Sequence, residues 1–127
     1  MAKWSSDILL DLLLQYLEDN VDRISVCTSQ PTTYAEATTN AGAGGYKLAI
    51  SSTPTFTGPV DDTSGRKTTI DQESTITVDV SGTALHVALA KSTGSVLLYV
   101  TTCTSQALTS GNTVTIPAWK VNVPDPT

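Results

Sequence analysis

The chain has 127 residues, with seven Lys and Arg against twelve Asp and Glu, for a formal net charge of −5. That length suits one domain whose single core needs neither metal nor disulfide, and 39% hydrophobic with 15% charged residues excludes wholesale disorder. The basic residues are scattered, with only Arg66 and Lys67 adjacent, which argues against a nucleic-acid partner, and no segment reaches the ~18 apolar residues needed to span a bilayer.

The N-terminal segment, Trp4 to Asp22, reads as one acidic, leucine-dense helix. Ser5 is placed to cap it, Asp7 sits in the first turn where the helix dipole favours an anion, and Trp4 is placed to staple onto Leu9. Its polar residues form a narrow stripe of Asp7, Asp11, Gln15, Glu18 and Asp22, and nearly everything else is apolar. An ordinary surface helix needs an apolar arc of only ~100°, and this arc is much wider. One apolar face is therefore expected to cover the chain's own β-domain and another to meet a neighbour, with the acidic stripe in solvent. The competing reading is a helix sunk in a groove of its own domain. Leucines in this run are interrupted by Asp7, Asp11 and Gln15, and no cleavable leader pattern is visible, so the segment is expected to be mature structure of a protein made in the cytoplasm.

From Arg23 onward the pattern changes to Thr- and Ser-rich alternation, with 22 Thr and 13 Ser in the whole chain. Strands are expected at 23–28, 46–50, 66–70, 74–80, 83–91, 95–102, 113–116 and 118–123, bounded by Gly, Asn, Ser and Pro. Residues 29–45 and 51–65 are expected as long loops, the first opening on a capping box, Thr33-Tyr-Ala-Glu36, and the second carrying the only phenylalanine, Phe56. Such loops are uncommon in compact domains and are often functional. Phe56 either reaches a neighbouring subunit or folds back onto the core. Pro124 and Pro126 suit the end of an edge strand. The expected architecture is mainly β: a single domain in which an amphipathic helix (1–22) precedes an antiparallel sandwich (23–127), jelly-roll or immunoglobulin-like.

Side chains that do chemistry are sparse. His86 is the one histidine; its nearest acids in sequence, Asp79 and Glu73, fall on another strand, so a hydrogen-bonded structural role is expected. Gly58 to Thr68 lacks the spacing and following helix of a phosphate loop. Asp61-Asp62 lacks the alternating carboxylates and closing Glu of a calcium loop, and no Cys/His set has zinc spacing. No catalytic residue, cofactor or metal is assigned, and the chain is expected not to be an enzyme. Cys27 and Cys103 open identical Cys-Thr-Ser-Gln tetrapeptides. Buried free thiols are the expectation for a reducing compartment, with a disulfide as the alternative.

Three stretches carry a family resemblance: Ser64-Gly-Arg-Lys67, Val80-Ser-Gly-Thr-Ala-Leu-His-Val-Ala-Leu89 and the run from Leu97 to Trp119. With Gln30-Pro-Thr-Thr-Tyr-Ala-Glu36, they resemble small structural proteins of tailed bacteriophages and prophages. The resemblance implies a virion component of the capsid decoration, or cement, type. It would bind the outer shell, with the major capsid protein and copies of itself, as a trimer, for partners. The residues expected at the contact are Trp4, Leu9, Leu13, Tyr16 and Phe56. A tail, baseplate or head–tail joining subunit is the alternative within the virion. A carbohydrate- or receptor-binding module, using Tyr34, Tyr46, Tyr99 or Trp119 as platforms, is the alternative outside it.

Overall fold

The computed structural model describes residues 4–126. Helix α1 spans Asp7–Asn20 and a single-turn helix α2 spans Tyr34–Thr38. The strands are β1 (Arg23–Cys27), β2 (Lys47–Ser51), β3 (Phe56–Asp61), β4 (Arg66–Ile70), β5 (Glu73–Thr77), β6 (Gly82–Lys91), β7 (Val96–Leu108), β8 (Thr113–Ile116) and β9 (Trp119–Val123). They form open antiparallel sheets of order β2-β1-β6-β7, β3-β4-β9 and β5-β8. The expected fold class holds in its coarser part, a mainly β chain behind one N-terminal helix.

One hydrophobic cluster joins all three sheets. Ile24 and Leu89 come from the four-stranded sheet, Ile70 and Val121 from the three-stranded one, Ile76 and Val114 from the pair, and Leu14 reaches in from α1. Alternation places these side chains inward on each strand. Every large side chain in that set is at most 8% exposed.

Three local expectations change. The N-cap is Ser6, whose Oγ accepts from Leu9 N at 3.3 Å, so α1 starts one residue later than expected and Trp4 lies beyond stapling reach, 85% exposed. Residues 51–65 are not one loop, because β3 lies within them and pairs antiparallel with β4, Phe56 opposite Ile70. Gly58 and Pro59 made this segment read as irregular; they sit instead at a bulge between Thr57 and Val60. As the outer strand of its sheet, β3 tolerates a proline that has no N–H to donate. Finally, β7 continues six residues past the expected end at Thr102, pairing Gln106 and Leu108 with Ala84 and Gly82.

Other signals hold. Within 29–45, Thr33 caps α2 by accepting from Glu36 N at 3.1 Å, and the Glu36 carboxylate returns to Thr32 N at 3.0 Å and Thr32 Oγ1 at 2.7 Å. Those Thr32 bonds hold the Glu36 carboxyl below its ordinary range. β9 is an edge strand of its sheet, as the terminal prolines suggest. Gly65 must be glycine: its φ is +73°, and a Cβ there would lie 1.9 Å from the Val123 carbonyl oxygen.

Both cysteines are free, Cys27 buried and Cys103 partly so. β6 lies between their strands, and two strand spacings, ~10 Å, exceed the ~7 Å Cα separation a disulfide spans. Burial pushes the Cys27 thiol up to about 11 and raises Cys103 as well. A thiol-directed maleimide at neutral pH is expected to modify Cys103 first in the native protein and both equally in denaturant, as read by mass spectrometry. Leu14 is fully buried whereas Leu12 is 61% exposed. Leu14→Ala is therefore expected to cost ~2–5 kcal/mol of unfolding free energy and Leu12→Ala less than ~0.5 kcal/mol, both measured by urea denaturation.

Candidate docking surface

Helix α1 lies along the three-stranded sheet, touching β3, β4 and β9. Leu10 and Leu14 are buried there, Leu17 packs against the core cluster, and Val21 closes the stripe at the C-cap. A 3.6-residue period brings the acidic positions to the edge of this inward face. Asp11 accepts from Arg66 Nε at 2.8 Å and Nη2 at 3.2 Å, a two-pronged pair. Arg66 Nη1 donates to Asp61 at 2.7 Å, and Nη2 donates to the Pro59 carbonyl at 3.3 Å. Further along, Thr68 Oγ1 donates to Glu18 at 2.7 Å. At the helix exit Asp22 accepts from Ser92 N at 2.8 Å and from the Ser92 hydroxyl, which together hold its carboxyl below the usual range.

The acidic stripe is therefore only in part the solvated face expected for it: Asp7 and Gln15 are exposed, whereas Asp11, Glu18 and Asp22 are half-buried. Asp11 and Glu18 bond to β4 and Asp22 to the β6–β7 turn. Of the five, Gln15 alone bonds only within the helix, donating to Asp19 at 3.0 Å. The reason is tertiary: Arg66, Thr68 and Ser92 are fifty or more residues away in sequence, and their donors draw the carboxylates inward. The hydrogen bonds to Asp11 and Asp61 raise the pKa of Arg66 above its already high value.

With that face committed, the remaining apolar arc points outward. Ile8 is 75% exposed, and Leu9, Leu12, Leu13 and Tyr16 lie between 51% and 62%. Ile8 and Leu12 stand one turn apart on this arc, and Trp4, ahead of the N-cap Ser6, is 85% exposed. Three residues singled out from the sequence, Leu9, Leu13 and Tyr16, thus share one exposed helix face, and a fourth, Trp4, is exposed ahead of the helix. Phe56 does not join them as a surface residue, because it packs against the core cluster from β3. Ile8 and Leu12 were missed as surface residues, although their i, i+4 spacing within the helix is a legible signal.

A second feature is a cleft of about 490 Å³ between the four-stranded sheet and the β8–β9 segment, with Val87, Cys103, Thr104, Ile116 and Trp119 among its walls. Tyr99 and Trp119 stack on each other at its side, ring centroids 5.9 Å apart. Two of the four aromatic platforms considered above thus spend a ring face on each other. Trp119 Nε1 is buried without a hydrogen-bond partner. His86 lies on β6 between Cys27 and Thr102, and the bond expected for it is missing at Nδ1, which is buried and unpartnered. Among the described residues no group of three or more His, Cys, Asp or Glu side chains is arranged to hold a metal ion, and no helix is long and apolar enough to cross a membrane.

The Arg66 anchor is open to test. Arg66→Lys keeps the charge but loses the planar two-pronged fit, and Arg66→Ala leaves Asp11 facing the sheet without a cation. The melting temperature is expected to fall in the order wild type, Arg66→Lys, Arg66→Ala, and α1 amides are expected to lose hydrogen-exchange protection before those of β1 and β6. Comparison with known proteins finds no family model that matches the chain, and neither a curated protein nor a solved structure similar to it.

Proposed function

We propose that this chain is a non-enzymatic virion structural protein, a capsid decoration protein that docks on the outer shell and bridges neighbouring major capsid subunits. The observation that carries this reading is the row of apolar side chains turned outward on a helix whose other face is bonded to the sheet. Its finer architecture is a β-sandwich of jelly-roll or immunoglobulin-like kind, supported by the single core cluster shared among the sheets. The phage affinity rests on the resemblance of the Val80–Leu89 and Leu97–Trp119 stretches.

Magnitudes favour a cooperative site over a solitary one. Completing the burial of each half-exposed leucine contributes ~1–2 kcal/mol, so the whole row supplies roughly 5–10 kcal/mol. Association alone costs about 4–15 kcal/mol in lost freedom. One such contact is weak, and a shell that presents composite sites between subunits, filled by many copies, turns weak contacts into added rigidity. The mutual stacking of Tyr99 and Trp119 gives the carbohydrate-binding alternative less to work with, since a sugar platform needs an open ring face.

Shells assembled without this protein are expected to rupture at lower temperature than decorated shells, and adding purified protein back is expected to restore the difference. Unchanged heat resistance refutes the role. Copy number separates the tail alternative: hundreds per particle accord with the shell, whereas a small multiple of six places the protein on the tail axis.

A further inference from the structure

The apolar row on α1 has a charged surround that restricts what can cover it. No lysine or arginine occurs between Trp4 and Asp22. Asp7 is 63% exposed and lies 4.0 Å from Arg66, and Asp61, bonded to the same guanidinium, is 83% exposed. Asp19, also exposed, follows Tyr16 by three residues and so borders the row at its other end. The last turn of α1 holds no basic residue, although the helix dipole already leaves partial negative charge there. Among the described residues, Arg66, engaged by Asp11 and Asp61, is the cation beside Asp7, while Arg23, just past the helix, is spent on Asp22, donating to its carbonyl oxygen at 2.8 Å and lying 3.7 Å from its carboxylate.

This pattern disfavours two occupants. A second copy packed helix to helix would bring like carboxylates together in either direction, since both ends of the row are acidic. A lipid surface binds amphipathic helices whose polar face is rich in Lys and Arg, the opposite of this one. Resting on the docking reading above, we infer that the occupant is a heterologous protein groove with an apolar floor and a Lys- or Arg-bearing rim, one cation meeting Asp7 and Asp61 and another meeting Asp19 and the helix C-terminus. The apolar row supplies the attraction, and the acidic surround selects the partner and speeds encounter.

The test uses the full chain and two fluorescein-labelled amphipathic helical peptides with the same leucine face, one flanked by lysine and one by glutamate. By fluorescence anisotropy the lysine-flanked peptide is expected to bind about tenfold or more tightly than the other, and to weaken as salt is raised. Leu9→Ser with Leu12→Ser, both at exposed positions, should abolish binding while circular dichroism stays unchanged, and Asp7→Asn with Asp19→Asn should narrow the gap between the peptides. Equal binding of the two peptides overturns the inference, and so does lysine-peptide binding that survives the serine double variant. Sedimentation as a dimer that the serine variant dissolves would assign the face to a second copy. Flotation of the chain with phosphatidylglycerol vesicles, lost in the same variant, would assign it to a lipid surface. Failure to bind shells alongside a positive peptide result would remove the capsid role and leave this partner chemistry standing.

Discussion

The contact between Arg66 and the helix carboxylates organises the rest of the molecule. A helix with so wide an apolar arc has several ways to lie on a β-sheet, each burying leucines, and hydrophobic burial is non-directional. The two-pronged pairing of Arg66 with Asp11, aided by Thr68 on Glu18 and Ser92 on Asp22, is directional. It admits one rotation about the helix axis, in which Leu10, Leu14 and Leu17 go inward and Ile8, Leu9, Leu12, Leu13 and Tyr16 remain outside. Polar bonds at the edge of the interface thus decide which leucines stay wet.

Arg66 itself is held in place by a framework visible around it. It begins β4, the middle strand of the sheet beneath the helix. Gly65, just before it, permits close approach to the Val123 carbonyl. On the same side of the molecule Asp62 accepts from Lys120 at 2.6 Å and from Asn122 at 2.9 Å, and the Lys120 bond holds its carboxyl below the usual range. These bonds tie the β3–β4 turn to β9, so the guanidinium projects from a braced turn. Under the proposed docking role, a helix on such a base would keep its shape on association, which lowers the ordering cost.

Exposed apolar side chains cost little in a dilute monomer but carry a risk of indiscriminate association. In the proposed reading, the carboxylates at both ends of the row would offset that risk through mutual repulsion between copies while admitting a partner of opposite sign. Net charge of −5 acts in the same direction over longer range. The surface therefore combines attraction that is general with repulsion that is selective.

Much of the plan was legible in order along the chain. The leucine-dense helix, the capping box at Thr33–Glu36 and the strands expected at 23–28, 66–70, 83–91 and 113–116 follow from periodicity and punctuation, because both are properties of neighbouring residues. Pairing partners are not. Cys-Thr-Ser-Gln ends β1 at its first occurrence, yet lies wholly inside β7 at its second, so those four residues carry no conformation of their own. Phe56 and Pro59 read as loop until β4 supplied a strand to pair with. Most of all, the amphipathic pattern of α1 told that two apolar faces existed without telling which one the domain would take. That choice needed Arg66, fifty-five residues beyond Asp11, because an ion pair depends on distance in space and leaves no mark on the spacing of residues along a chain.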